Sequence, residues 1–278
     1  MDKAVIFDAF EFVGFHFCKK LLDIGFEVSG IQFNHEKKNK YLDEMRLEVG
    51  RNANFKEKTM EEWATQMEKE MDDPAFFIFS LYDLYMGYKE DLLNNEILKD
   101  YLLNSIRQRN KQSLIVFLLP IQLISEENDA EGLRGCKDFL KSVDEMECDS
   151  QFFYLPSLYG PWQSDAFFFQ KAMLNNLNER EESKEWMGDT IFIRDAIELV
   201  IEQMEDKTPG KYLLESGKQN RWFECAEFLN IDETYFRKNV KNLVINDEFV
   251  LSLKVGSPTS IPDSFAEQKE HLNYLSTI

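Results

Sequence analysis

Asp8, Glu11 and Gly14 stand three residues apart in the turn that follows the apolar run "KAVIF" and leads into a helical stretch. At such a place backbone N–H groups and a helix dipole attract a phosphate. Glycines there let the chain turn tightly and let the anion come close. Carboxylates do the reverse, because they fill the phosphate's volume and carry its sign of charge. At about 5 Å and an effective dielectric of 20, one carboxylate repels one phosphate charge by roughly 3 kcal/mol. Next to the helix start the same acids favour the dipole by ~0.3–1 kcal/mol each, so they are expected to accept its N–H groups in the ligand's stead.

The other chemistry-bearing residues are scattered. Cys18, Cys136, Cys148 and Cys225 form no C-x-x-C pair, which argues against a zinc site or a disulfide framework and for thiols in a reducing cytoplasm. His16, His35 and His271 lie far apart and away from any acidic metal-ligand spacing, so no metal is expected. The 51 acidic residues against 32 basic ones give a net charge of −19, which disfavours nucleic acid and anionic membranes as partners. The short basic stretch 36–40 reads as a solvated loop or helix start, and the acidic run 179–185 as a solvated helix end or loop. A strand-like run begins almost directly after Met1, leaving no room for a signal peptide. The longest apolar run, 114–124, falls short of the ~20 residues of a membrane helix. A cytoplasmic protein is expected.

With 44% apolar residues, 24 of them Phe, the 278-residue chain can bury a large core. Strand-like runs at 3–7, 26–33, 75–80, 113–119 and 151–156, with a weak one near 52–55, alternate with helical stretches at 12–24, 38–49, 60–71, 88–109 and 130–146. Gly25 closes the first helix. That alternation predicts an α/β fold with a Rossmann-like, doubly wound parallel sheet. After Pro161 the rhythm changes. A helix near 165–180, a strand and helix over 189–205, then 210–216, 221–231 and 264–275 suggest a smaller α/β lobe. The division expected is 1–160 and 161–278, with 189–205 returning to the main domain.

Four stretches, in order, resemble the extended short-chain dehydrogenase/reductase family of NAD-dependent sugar epimerases and dehydratases. "VIFDAFEFVGFHFCKKLLDIGFEVSGI" is similar to its opening strand, glycine turn, helix and second strand. "FFYLPSLYGPWQ" keeps the family's Tyr-Gly-Pro as Tyr159, Gly160 and Pro161, with Ser157 where asparagine is usual. "DTIFIRDAIELVIEQME" resembles a later motif whose aspartate starts a helix, here Asp195, and "GKYLLESGKQNRWFECAEFL" the strand, turn and helix after it.

What the resemblance implies for chemistry is mostly loss. Asp8 and Glu11 replace the first two phosphate-turn glycines, Gly14 keeps the third, and Gln32 or its neighbour stands where an acid would hold the ribose. The family's acid/base tyrosine precedes its lysine by four residues. Lys137 is present, either as a relic or as a surface lysine, but Leu133 occupies the tyrosine's place. The strand 113–119 lacks the hydroxyls expected after it, since Ser113 and Ser125 lie at the wrong ends. Tyr159 and Trp162 are expected to pack between the lobes.

The expected function is therefore a catalytically inactive homologue, a structural, regulatory or protein-binding module without cofactor. Two alternatives stand beside it. One is an NAD- or NADP-dependent epimerase, dehydratase or reductase with displaced catalytic groups, for which Tyr82 and Tyr85 are the candidate substitutes. The other is a small-ligand sensor using the vestigial cleft. The resemblance also implies a homodimer, formed by the stretches 88–109 and 130–146 through Leu92, Leu93, Ile97 and Leu102 on one and Leu133, Phe139 and Leu140 on the other.

Overall fold

The structure, a computed structural model, describes residues 2–33, 40–70, 72–124, 131–178, 183–236 and 249–277. His35, Ser125, most of the basic stretch 36–40 and the first part of the acidic run 179–185 lie outside the described residues. The chain opens with β1 (Lys3–Phe7), α1 (Phe12–Asp23) and β2 (Glu27–Gln32). Next come α2 (Leu42–Val49), β3 (Phe55–Thr59), α3 (Met60–Glu70) and β4 (Phe76–Ser80). A short α4 (Leu81–Met86) and a 3-10 turn (Glu90–Asn94) precede α5 (Glu96–Gln108) and β5 (Leu114–Pro120). Then follow α6 (Glu131–Asp144), β6 (Ser150–Leu155), β7 (Ser157–Tyr159) and α7 (Phe168–Met173). After β8 (Thr190–Phe192), α8 (Ile193–Glu205), β9 (Gly210–Glu215) and α9 (Arg221–Phe228) come β10 (Val250–Lys254) and α10 (Ile261–Leu275).

Eight strands form one sheet in the order β10-β9-β6-β5-β4-β1-β2-β3, and each pair is parallel. This is the doubly wound, Rossmann-like arrangement read from the sequence. β7 and β8 pair separately, Ser157 opposite Thr190 and Tyr159 opposite Phe192. β9 and β10 extend the main sheet, so the stretch 161–278 contributes strands to it as well as helices outside it.

Both faces of the sheet are covered, as an all-parallel sheet requires. Alternate residues face two cores: Ile6, Ile78, Val116 and Phe153 point to one, Phe7, Phe79, Phe117 and Tyr154 to the other. Register places Phe7 opposite Phe79, Phe79 opposite Phe117 and Phe117 opposite Phe152. Their rings stack at 4.3, 5.3 and 5.3 Å, a ladder of four phenylalanines across the central strands.

Several boundaries differ from the sequence reading for identifiable reasons. The stretch 88–109 is not one helix. The Asn95 side chain accepts from the N–H groups of Ile97 and Leu98 at 3.0 and 3.1 Å, starting α5 there. The weak strand expected near 52–55 is β3, which begins only at Phe55; residues 52–54 form the turn before it. The helix expected over 165–180 is only Phe168–Met173, while the C-terminal one starts earlier, where Ser260 caps Asp263 N–H at 3.2 Å. Of the residues expected at a dimer contact, Leu93, Leu102, Leu133 and Phe139 lie in the cores of the single chain. Of that set Ile97 is 66% exposed, and Leu92 and Leu140 are partly buried. Among the described residues no helix is long and apolar enough to cross a membrane.

Candidate functional site

In this strand order the sheet switches direction of winding between β1 and β4, and the crevice beyond their C-terminal ends is where such folds bind ligands. Asp8 lies there with φ of 60°, the left-handed conformation that a glycine would adopt freely and that aspartate tolerates. Its N–H donates to Ile31 O at 2.7 Å. A Cβ on Gly14 would lie 2.9 Å from Asp8 O, so only glycine allows α1 to approach the turn this closely. The backbone path of a phosphate-binding turn is thus preserved.

Its donors are taken. The buried carboxylate of Asp83, on α4 after β4, accepts Val13 N–H on both oxygens at 3.0 Å and Gly14 N–H at 2.9 Å. Ser80 Oγ in turn accepts Asp83 N–H at 3.2 Å and starts α4. An internal carboxyl group therefore sits on the helix N-terminus. It is Asp83, not the expected Asp8 or Glu11: Glu11 precedes α1 and makes no side-chain cap. Burial pushes Asp83 up to about 7; Val13 and Gly14 N–H oppose the rise and the Glu11 charge adds to it.

Glu11 turns away to Lys89, whose Nζ is 2.5 Å from its carboxylate, both side chains being largely buried. Burial outweighs that cation, and the Glu11 pKa is raised. Asp8 is held well above the usual carboxylate range, first by burial and then by the Glu11 charge, with Lys89 opposing. Gln32, at the end of β2, accepts a hydrogen bond from Arg46 at 3.1 Å. The residues at the turn do not fit a dinucleotide's pyrophosphate: Asp83 occupies the N–H groups of Val13 and Gly14, and Asp8 and Glu11 stand where the first two glycines would leave room.

The segment matching the catalytic pair is likewise closed. Leu133 is fully buried, in one apolar cluster with Tyr82, Tyr85 and Leu118, while Lys137 is half-buried on α6. β5 ends in Leu118, Leu119 and Pro120, and Ser113 lies at its other end, where its Oγ accepts Ala75 N–H at 3.0 Å. Tyr82 is buried and its hydroxyl oxygen accepts Leu158 N–H at 2.9 Å. Tyr85 is pushed up to about 12, chiefly by burial. Lys184 Nζ lies 4.7 Å from the Tyr85 ring centre and 2.6 Å from Glu90.

The retained motif serves packing. Tyr159 OH meets Ser264 Oγ at 2.8 Å and its ring stacks on Phe265 at 4.8 Å. Gly160 has φ of 149°, and a Cβ there would meet Ile193 at 2.5 Å. Trp162, after Pro161, packs on Phe15 and His271. Ser157 Oγ donates to Trp186 O at 2.6 Å, and Asp195 accepts Thr259 N–H and Oγ–H at 2.7 and 2.6 Å. Nearby, buried Glu185 accepts Phe168 N–H at 2.5 Å and is pushed up to about 7, chiefly by burial.

Sequence reasoning missed Asp83, Lys89, Lys184 and Glu185. The pattern Ser80-x-x-Asp83 at the end of an apolar strand signals a helix start, although not where the carboxylate would point. Among the described residues no three His, Cys, Asp or Glu are grouped to hold a metal.

Solved structures match the chain over nearly its full length. UDP-glucuronic acid 4-epimerase from Bacillus cereus, in complex with UDP-glucuronic acid and NAD, superposes with a TM-score of 0.65 at 16% identity, covering 98% of this chain and 99% of the other. The fold is that of the sugar-nucleotide epimerases. The Bordetella bronchiseptica enzyme WbmH in complex with NAD+ gives 0.65 at 15% identity, over 98% of each chain. UDP-N-acetylglucosamine 4-epimerase from Methanobrevibacter ruminantium, in complex with UDP-N-acetylmuramic acid, gives 0.63 at 18%, over 100% of this chain and 99% of the other. No family model and no curated protein matches the sequence. The epimerase-type fold carries this site; the catalytic and phosphate-binding positions are where the chain departs from the pattern that the resemblance implies.

Proposed function

We propose that this chain is a non-catalytic form of the epimerase fold, a structural, regulatory or protein-binding module that takes up neither NAD nor NADP. The observation that carries the reading is Asp83 on the N–H groups of Val13 and Gly14. A pyrophosphate would have to displace a buried protein carboxyl group and then find room beside the side chains of Asp8 and Glu11. Leucine at 133 adds to this, since it cannot transfer a proton and loss of a general acid/base typically costs 10²–10⁴-fold. Calorimetry with NAD(H) and NADP(H) tests the reading: dissociation constants above about 1 mM are expected, and one below about 100 μM overturns it.

A second reading, an NAD(P)-dependent epimerase, dehydratase or reductase with displaced groups, is favoured by the neighbours solved with NAD. Tyr85, with Lys184 against its ring, is then the acid/base candidate. Absorbance change at 340 nm with UDP-sugars that is lost in Tyr85→Phe would establish it. We also propose a homodimer through α5 and α6, with Ile97 central to the contact; sedimentation of the wild type as a dimer and of Ile97→Asp as a monomer is the expected result.

A further inference from the structure

Between α1, α2, α8 and α10 lies a groove of about 800 Å³, flanking α1 along its length rather than at its N-terminus. Its base is apolar and aromatic, with buried Trp162, Ile193 and Ile197; Leu47 and Tyr274 stand 63% and 50% exposed at its side. All three lining bases are held by lining acids. Lys19 pairs with Glu48, Lys20 with Glu198 at 2.8 Å, and Arg194 with Glu267 at 3.0 Å. Asp23, Glu44 and Glu270 are left without a basic partner among the described residues, Glu44 accepting only Tyr274 OH at 3.3 Å.

The two lining histidines do not offset those charges. His16 Nε2 donates to Pro161 O at 2.9 Å and His271 Nδ1 accepts Trp162 N–H at 3.3 Å. Burial holds both at about 4, so they are neutral at pH 7. The groove therefore has an apolar floor and a rim with three uncompensated negative charges.

We propose that this groove docks a basic segment of a partner protein, with an apolar side chain seated against Trp162 and Leu47 and lysine or arginine heads against Asp23, Glu44 and Glu270. Charge complementarity selects this occupant. A second copy is proposed to pair elsewhere, through α5 and α6, and a basic segment matches the sign of this rim. Exposed Tyr274 beside carboxylates suits a cation, which the ring face attracts. The volume accommodates several side chains rather than one small ion. The inference is independent of whether the turn after β1 binds a nucleotide, because the groove does not include that turn.

The probe is a fluorescein-labelled peptide of alternating leucine and lysine, about twelve residues long, titrated by anisotropy against full-length protein. Wild type is expected to bind it at least tenfold more tightly than Asp23→Lys/Glu270→Lys, a charge reversal of two exposed residues, and than Leu47→Asp. The distant reversal Asp100→Lys/Asp206→Lys is expected to leave affinity within about twofold. Three outcomes would overturn the proposal: equal weakening by the distant pair, unchanged affinity in the groove variants, or complete displacement by spermine at matched charge. The first and third would reduce the interaction to general attraction between opposite charges.

Discussion

The turn after β1 and the turn after β7 both carry family glycines, yet they are kept in different ways. After β7 the residues themselves remain: Tyr159, Gly160 and Pro161 pack on α10 and α8, and Gly160 holds a conformation and a closeness to Ile193 that no other residue would permit. After β1 the backbone path remains while its occupants change, with Asp8 in a glycine's conformation and a side chain from α4 on the helix start. Where a glycine makes room for protein, it stays. Where it would make room for a ligand, protein has moved in.

Variants at each turn sharpen that contrast. The largest effect is expected for Asp83→Ala, which orphans the buried N–H groups of Val13 and Gly14 and leaves a helix uncapped. Loss of about 3 kcal/mol of unfolding free energy in urea is expected, against about 1 for Asp83→Asn, which keeps an acceptor. Equal losses for the two would show that the hydrogen bonds to α1 contribute little. Gly160→Ala is expected to cost about 2 kcal/mol, through backbone strain and the clash with Ile193.

Each turn also has a buried carboxylate beside it that can be read by pH. Asp83 and Glu185 are raised to about 7 in the folded protein from ordinary values of 3.8 and 4.5. Protonation is easier folded than unfolded, so their contribution is fully present below about pH 4 and is lost as pH rises through 7. His16 and His271, held at about 4, act in the opposite sense over the same window, so the test is a difference. Between pH 5 and pH 8 the wild type should lose more stability in urea than Glu185→Gln, by about 2 kcal/mol. Equal pH slopes for the wild type and Glu185→Gln would contradict the burial of Glu185. Tyr159→Phe, which removes the hydroxyl's bonds to Ser264 and Cys225, should cost about 1 kcal/mol. The smallest expected change is in nucleotide affinity: Asp8→Gly/Glu11→Gly should bind NAD no better than wild type by calorimetry, because Asp83 still holds the donors.

The central strands were legible because residues buried on both faces form unbroken apolar runs, as in "LIVFLL" of β5. The edge strands were not. β3 reads "FKEKT", polar on its open side, and β10, "VLSLK", is half exposed, so neither has a two-sided apolar signature. The same split governs the site. Asp8, Glu11 and Gly14 are neighbours in sequence, and their spacing could be compared with a motif. Asp83 reaches Val13 across seventy positions, a pairing that only the β1–β4 adjacency creates. Leu133 was readable as a missing tyrosine, but its burial comes from the packing of α6 against Tyr82, Tyr85 and Leu118, which its own segment does not show.

Asp83 has a consequence for supply. A helix terminus that waits for a soluble anion is stabilised according to how much of that anion is free, so its folded population follows the cell's stores. Here one carboxylate is delivered with every helix by translation itself, in fixed ratio and beyond dilution. On the proposed reading, in which no nucleotide binds, a starved cell and a well-fed one should hold this protein in the same folded state.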